Sequence, residues 1–209
     1  MKVLEHFKSK DNQKHNELMG NISRILSRVS SDSACSYDII QTNKLSFLTE
    51  MIEEFKMSTF FVERVAFVLA NLATYFDEAR AQLSTKDSIK RLFDTALYYF
   101  EMEKTEKLEG TLAKFVRLVA NLWIDGQHVD TLVQGCGKPL LQRFMVEMMA
   151  SMERKQLAQS AEFIVFSVSC TTNILFFDTP QQELFDHAQR MTVFRAVKPF
   201  VLETTNEEL

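Results

Sequence analysis

The chain of 209 residues carries 24 Lys and Arg against 28 Asp and Glu, a formal net charge of −4 with a pI near 5.7. Nucleic-acid binding usually needs a clearly basic face, which this balance does not offer. A hydrophobic share of 46% is enough for a sizeable core, and only five Gly and three Pro leave little material for strand-joining turns, so the fold class is all-α.

Helical periodicity predicts a first helix over Lys14 to Val29, followed by a polar loop from Ser30 to about Thr42. Between Asn43 and Phe55 the apolar residues Leu45, Phe47, Leu48, Met51, Ile52 and Phe55 form an amphipathic stripe, and Ser58 and Thr59 offer caps for a helix running through Leu72. The same grammar returns over Ser88 to Glu103 and Leu108 to Trp123. It returns again over Lys138 to Met152 and Ala158 to Phe177, after Gly135, Gly137 and Pro139 break the chain. A last helix is expected from Gln181 to Leu202. The apolar stretch from Phe163 to Phe177 holds Ser167, Ser169, Thr171, Thr172 and Asn173 and is too short for a membrane span, so it reads as a buried helix and no membrane insertion is expected.

Asn21, Asn71, Asn121 and Asn173 stand 50, 50 and 52 residues apart, each inside an apolar run. Leu83, Leu132 and Leu184 follow the last three at a nearly constant distance, with Asp77, Asp125 and Asp178 between. Self-similarity at this period marks a stack of units that bury their apolar faces only against neighbours. The approximate units are 1–42, 43–87, 88–137 and 138–209 within a single domain.

The segments Phe67-Val68-Leu69-Ala70-Asn71-Leu72-Ala73 and Phe115-Val116-Arg117-Leu118-Val119-Ala120-Asn121-Leu122 resemble the armadillo-repeat family, whose unit is a short helix and two longer ones. The period of about 50 exceeds the roughly 40–47 residues of armadillo and HEAT units, which implies longer helices or loops and leaves HEAT-like stacking open. The resemblance implies a right-handed α-solenoid of about four repeats with a concave groove lined by the asparagine-bearing helices. The wording around the second and third copies is similar to the armadillo repeat-containing proteins of cilia, which serve radial-spoke assembly.

The resemblance implies that Asn71, Asn121 and Asn173 hold the backbone of an extended peptide through their amides. The plainer alternative is that each amide satisfies a loop carbonyl or helix end inside the protein. Residues one or two turns away share the asparagine's face, which adds Arg64, Phe67, Lys114, Arg117 and Tyr75, with Trp123 close by. Aromatic and arginine side chains dominate binding hot spots, so these nine residues are the expected partner-binding set. The nuclear-import branch of the family carries tryptophan four residues before the asparagine. Here Phe67, Arg117 and Ser169 occupy those positions, so a basic nuclear-localisation peptide is not the implied ligand.

Catalytic chemistry is not indicated. His6, His15, His128 and His187 are scattered without metal-ligand spacing, no phosphate-cradling glycine motif occurs, and neighbouring carboxylates such as Glu53 and Glu54 point apart on a helix. No cofactor or metal is expected. Cys35, Cys136 and Cys170 lack any paired spacing, which points to a reducing, cytoplasmic compartment, and the resemblance to the ciliary proteins implies a ciliary or cytoskeletal location within it. Met145, Met148, Met149 and Met152 form a stripe expected to be core. The function expected is a non-enzymatic scaffold for a partner protein or peptide, with two alternatives: an adaptor in the assembly or transport of a large complex, or an accessory subunit of a partner enzyme.

Overall fold

The computed structural model describes residues 13–102, 106–153, 160–178 and 183–204. Its helices are α1 (Gln13–Val29), α2 (Ser33–Gln41), α3 (Leu45–Glu54), α4 (Thr59–Tyr75), α5 (Asp77–Leu83), α6 (Lys86–Glu101), α7 (Glu106–Leu122), α8 (Val129–Cys136), α9 (Lys138–Glu153), α10 (Ala161–Phe176) and α11 (His187–Thr204), with a 3-10 turn at Gly126–His128. Among the described residues there is no strand, in keeping with the all-α expectation. None of these helices is long and apolar enough to cross a membrane.

The long helices form two layers. In one, α1, α4, α7 and α10 pack side by side; in the other, α3, α6 and α9 do the same, with α11 laid against α9 and touching α10. Short helices α5 and α8 each precede a pair of long ones, a short–long–long order that occurs twice, and in the preceding trio α2 and α3, of 9 and 10 residues, are both short before the long α4. Apolar residues on both faces of α4 explain its central place: Val62, Val65, Leu69 and Leu72 are wholly buried, as are Ala66, Ala70 and Ala73, whose small side chains let the neighbouring helix approach.

The polar segment after Val29 is not a loop but contains α2. Asp32 caps that helix by accepting a hydrogen bond from the Cys35 amide at 2.9 Å, and Ser36 and Ile40, one turn apart, are buried. Helices α5 and α8, of 7 and 8 residues, are too short for an apolar period to register. The expected ends at Glu103, Ala158 and Gln181 lie outside the described residues. Gly137, at φ 74, ends α8 in a conformation that suits glycine, and Pro139 follows as the second residue of α9, where a missing amide hydrogen costs nothing.

Aromatic rings fill the seam between α6 and α9. Phe144 of α9 meets Phe93 and Phe100 of α6 with ring centroids 4.9 and 5.7 Å apart. Met145, Met148, Met149 and Met152 are all buried, so the methionine stripe is core. Tyr99 donates its hydroxyl to the Lys56 carbonyl at 2.6 Å, which ties the start of one unit to the next.

Candidate functional site

Three asparagines stand in the last turns of the layer formed by α1, α4, α7 and α10, and their amides run along it as a ladder. Asn71 Nδ2 donates to Ser30 Oγ at 3.2 Å, just past the end of α1. Asn121 Nδ2 donates to the Ala70 carbonyl at 2.9 Å and to Thr74 Oγ1 at 2.6 Å, and Asn173 Nδ2 donates to the Ala120 carbonyl at 2.9 Å. Each amide therefore binds the preceding helix of the layer. A carbonyl oxygen carries two lone pairs, so the Ala70 and Ala120 carbonyls, late in their helices, can accept a side-chain amide beside any bond made within the helix. Asn21 has no part in this ladder. It lies mid-helix and exposed, with α1 continuing past it to Val29, and the acceptor offered to Asn71 at the end of α1 is the Ser30 hydroxyl.

One to three turns before the asparagines, the same layer carries a chain of cations on aromatic rings. Arg64 stacks over Phe60 at 4.1 Å with Arg24 approaching the same ring at 5.8 Å. Lys114 and Arg117 lie over Phe67 at 5.7 and 5.6 Å, and Arg117 also lies over Phe166 at 5.5 Å. Lys114 is ion-paired to Glu162 across α7 and α10. Among the described residues Arg24, Arg64 and Arg117 have no carboxylate partner, and the Nε of Arg64 is buried without an acceptor. A shallow cavity of about 270 Å³ opens here, lined by Ser27, Phe60, Glu63, Arg64, Phe67 and Lys114. Gly110 faces Glu63 across it; a Cβ there would come within 3.0 Å of the Glu63 carboxylate.

Of the expected binding residues, Arg64, Phe67, Lys114 and Arg117 come together on this surface. Tyr75 is 74% exposed but stands at the far end of α4, apart from the stripe. Trp123 is fully buried, because Leu122 and Trp123 turn inward where α7 ends; its side chain is core and cannot contact a partner. Phe60, Phe166 and Arg24 were not singled out from sequence. The first two fall at the helical spacing of the stripe, one or two turns from Arg64 and Asn173, and that spacing was the signal available for them.

A second polar cluster joins α5 to the turn after α7. Arg80 binds Asp125 at 2.8 Å, Asp77 at 3.3 Å and the Ala73 carbonyl at 2.9 Å, while His128 Nε2 meets Asp77 Oδ1 at 2.8 Å. The carboxylates and imidazole converge closely enough to offer ligand atoms to a cation. The Arg80 guanidinium already lies between the two carboxylates and supplies the positive charge they need, so the cluster acts as an ion-pair clamp between units. The thiols are not activated: burial pushes Cys136 up to about 12 and raises Cys170 as well, and the Asp32 carboxylate raises Cys35.

Comparison with protein-family models, curated proteins and solved structures finds no match to this chain. The class defined by the fold is an all-helical protein of two helix layers, with a cationic and aromatic stripe across the layer that carries the asparagines.

Proposed function

We propose that the chain is a non-enzymatic interaction scaffold of the armadillo-like α-solenoid kind, and that it binds an extended, acidic segment of a partner protein along the stripe from Arg24 to Arg117. The ordering of short and long helices and the stacking of α1, α4, α7 and α10 support the solenoid reading. The observation that carries the binding role is Arg117, held between Phe67 and Phe166 and lacking a carboxylate among the described residues. Aromatic packing fixes the guanidinium without neutralising it. An arginine so placed presents its planar fork of donors to an incoming carboxylate. The asparagines contribute by fixing the spacing of the helices that carry these cations, so they act on binding through structure.

Selection of peptides from a random display library on the purified chain tests this reading. Enriched peptides are expected to carry Asp and Glu beside an apolar residue, to bind less tightly as salt rises, and to lose roughly tenfold or more in affinity with Arg64→Glu and Arg117→Glu, the scale of an arginine hot spot. Neutral or basic enriched sequences, or equal binding by the double variant, would overturn it.

A further inference from the structure

The layer of α1, α4, α7 and α10 does not present the same surface at its two ends. The face that α4 turns to α7, and α7 to α10, recurs on α10 at positions 50 and 52 residues further on. In the inner helices this face is covered. Ala66 and Val116 are 0% exposed, and Ala70 and Ala120 are 0% and 3% exposed. Their counterparts on α10 are Val168, half-buried, and Thr172, exposed. Either side of them, Val165 is 58% exposed where its counterpart Ala113 is wholly buried, while Phe176 is 79% exposed and its counterpart Ile124, just past the end of α7, is 49% exposed.

The polar pattern stops at the same place. The carbonyls of Ala70 and Ala120 each accept an asparagine amide from the next helix. Thr172 holds the corresponding position, its hydroxyl turned back to the Val168 carbonyl at 2.9 Å. Among the described residues no side-chain amide reaches the Thr172 carbonyl. At the opposite end, the exposed side chains of α1 include Glu17, Asn21, Arg24 and Arg28 together with Ile25, a largely polar and charged surface unlike that of α10. Stacking a second copy head to tail would lay those charged groups on Val165 and Phe176, which argues against self-assembly through this face.

We propose that the outward face of α10 is a docking site for one amphipathic helix of a partner protein, set beside α10 as α10 is set beside α7. The interface is continuous with two that already exist in the fold, and their chemistry defines the occupant. It carries small apolar residues opposite Val168 and Thr172, and near its C-terminal end an Asn or Gln that donates to the Thr172 carbonyl. Phe176 packs along its last turn. This site is separate from the arginine stripe.

The probe is a peptide of residues 106–124 with a side-chain staple on its solvent face, so that it is helical before binding. In the intact chain this segment already packs against α4 and donates Asn121 to a helix-end carbonyl. Titrated against the full chain by fluorescence anisotropy, the labelled peptide is expected to bind saturably. Val165→Glu with Phe176→Asp, at two exposed positions, is expected to weaken it more than tenfold while circular dichroism and melting stay unchanged. Asn121→Ala in the peptide alone is expected to weaken it about fivefold, the worth of one neutral hydrogen bond. Arg64→Glu with Arg117→Glu on the chain should leave it intact. Absence of binding by the helical peptide, or equal binding to the Val165→Glu, Phe176→Asp chain, would overturn the proposal.

Discussion

Replacing Asn121 by alanine separates an amide that holds helices together from one that holds a ligand. The side chain makes two hydrogen bonds to α4, at 2.9 Å to the Ala70 carbonyl and 2.6 Å to Thr74 Oγ1. A neutral hydrogen bond contributes a net ~1 kcal/mol, so the pair is worth about 2 kcal/mol. Thr74 Oγ1 also donates to the Ala70 carbonyl at 2.7 Å, so that carbonyl keeps a partner and the loss stays near this figure. In a domain of this size each kcal/mol moves the melting temperature by about 2–4 °C, which gives a fall of about 4–8 °C for Asn121→Ala. Asn173→Ala, with one such bond, should cost about half as much. Thermal and urea unfolding read both values, and the urea slope should not change, since the folded surface is the same. Acidic peptides selected on the wild-type chain should still bind at temperatures where the variant is folded. A melting temperature unchanged within about 1 °C, together with lost peptide binding, would refute the structural assignment and return the amides to the ligand.

Phe144→Ala removes the ring that meets both Phe93 and Phe100 and should cost about 3–5 kcal/mol by transfer and cavity terms, seen as an early urea midpoint. Arg80→Ala leaves Asp77 and Asp125 facing one another. The arginine side chain is only 11% exposed but its carboxylates are 42% and 35% exposed, so solvent screening should hold the loss to about 2 kcal/mol, measured by thermal melting. Cys136 has its pKa raised from 9.0 to about 12 by burial, so the folded chain holds the thiol proton more tightly than the unfolded chain does. Its contribution to stability is therefore whole below pH 9 and is lost as pH rises from 9 towards 12, and Cys136→Ala should make that part of the pH profile less steep, the buried Cys170 and Tyr99 keeping the remaining slope. At neutral pH iodoacetamide followed by mass spectrometry should modify the exposed Cys35 before Cys136 or the buried Cys170.

Wherever an apolar stripe continues for three or more turns, the long helices are legible in the sequence. Lys138 to Met152 is expected from its leucines and methionines and is found as α9 within a residue. The short helices are not legible, because α5 completes barely two turns and its buried residues, Ala79 and Leu83, amount to a single contact spacing. α2 hides for a different reason: its sequence is rich in Ser and Asp, which favour turns, until Asp32 is recognised as a cap and Ile40 as the residue it buries.

The asparagine period identifies a shared position but not what that position does. Spacing places residues on a face, whereas the choice between ligand and neighbouring helix depends on where the next helix end lies, and that is fixed by tertiary packing. Asn21 shows the limit: the interval of 50 to Asn71 matches the others, yet α1 runs on beyond it and Ser30 takes the amide instead. Trp123 shows the same limit from the other side. Its residue type suits a hot spot and its place near Asn121 suits a groove, but two residues on, just past the end of α7, the side chain lies in the core. The four residues that do converge, Arg64, Phe67, Lys114 and Arg117, all lie one or two turns before an asparagine whose amide is anchored to the preceding helix. The anchored amide sets the phase and spacing of both α4 and α7, so the same bonds that occupy the asparagines are what bring the rings and cations of neighbouring units within reach of one another.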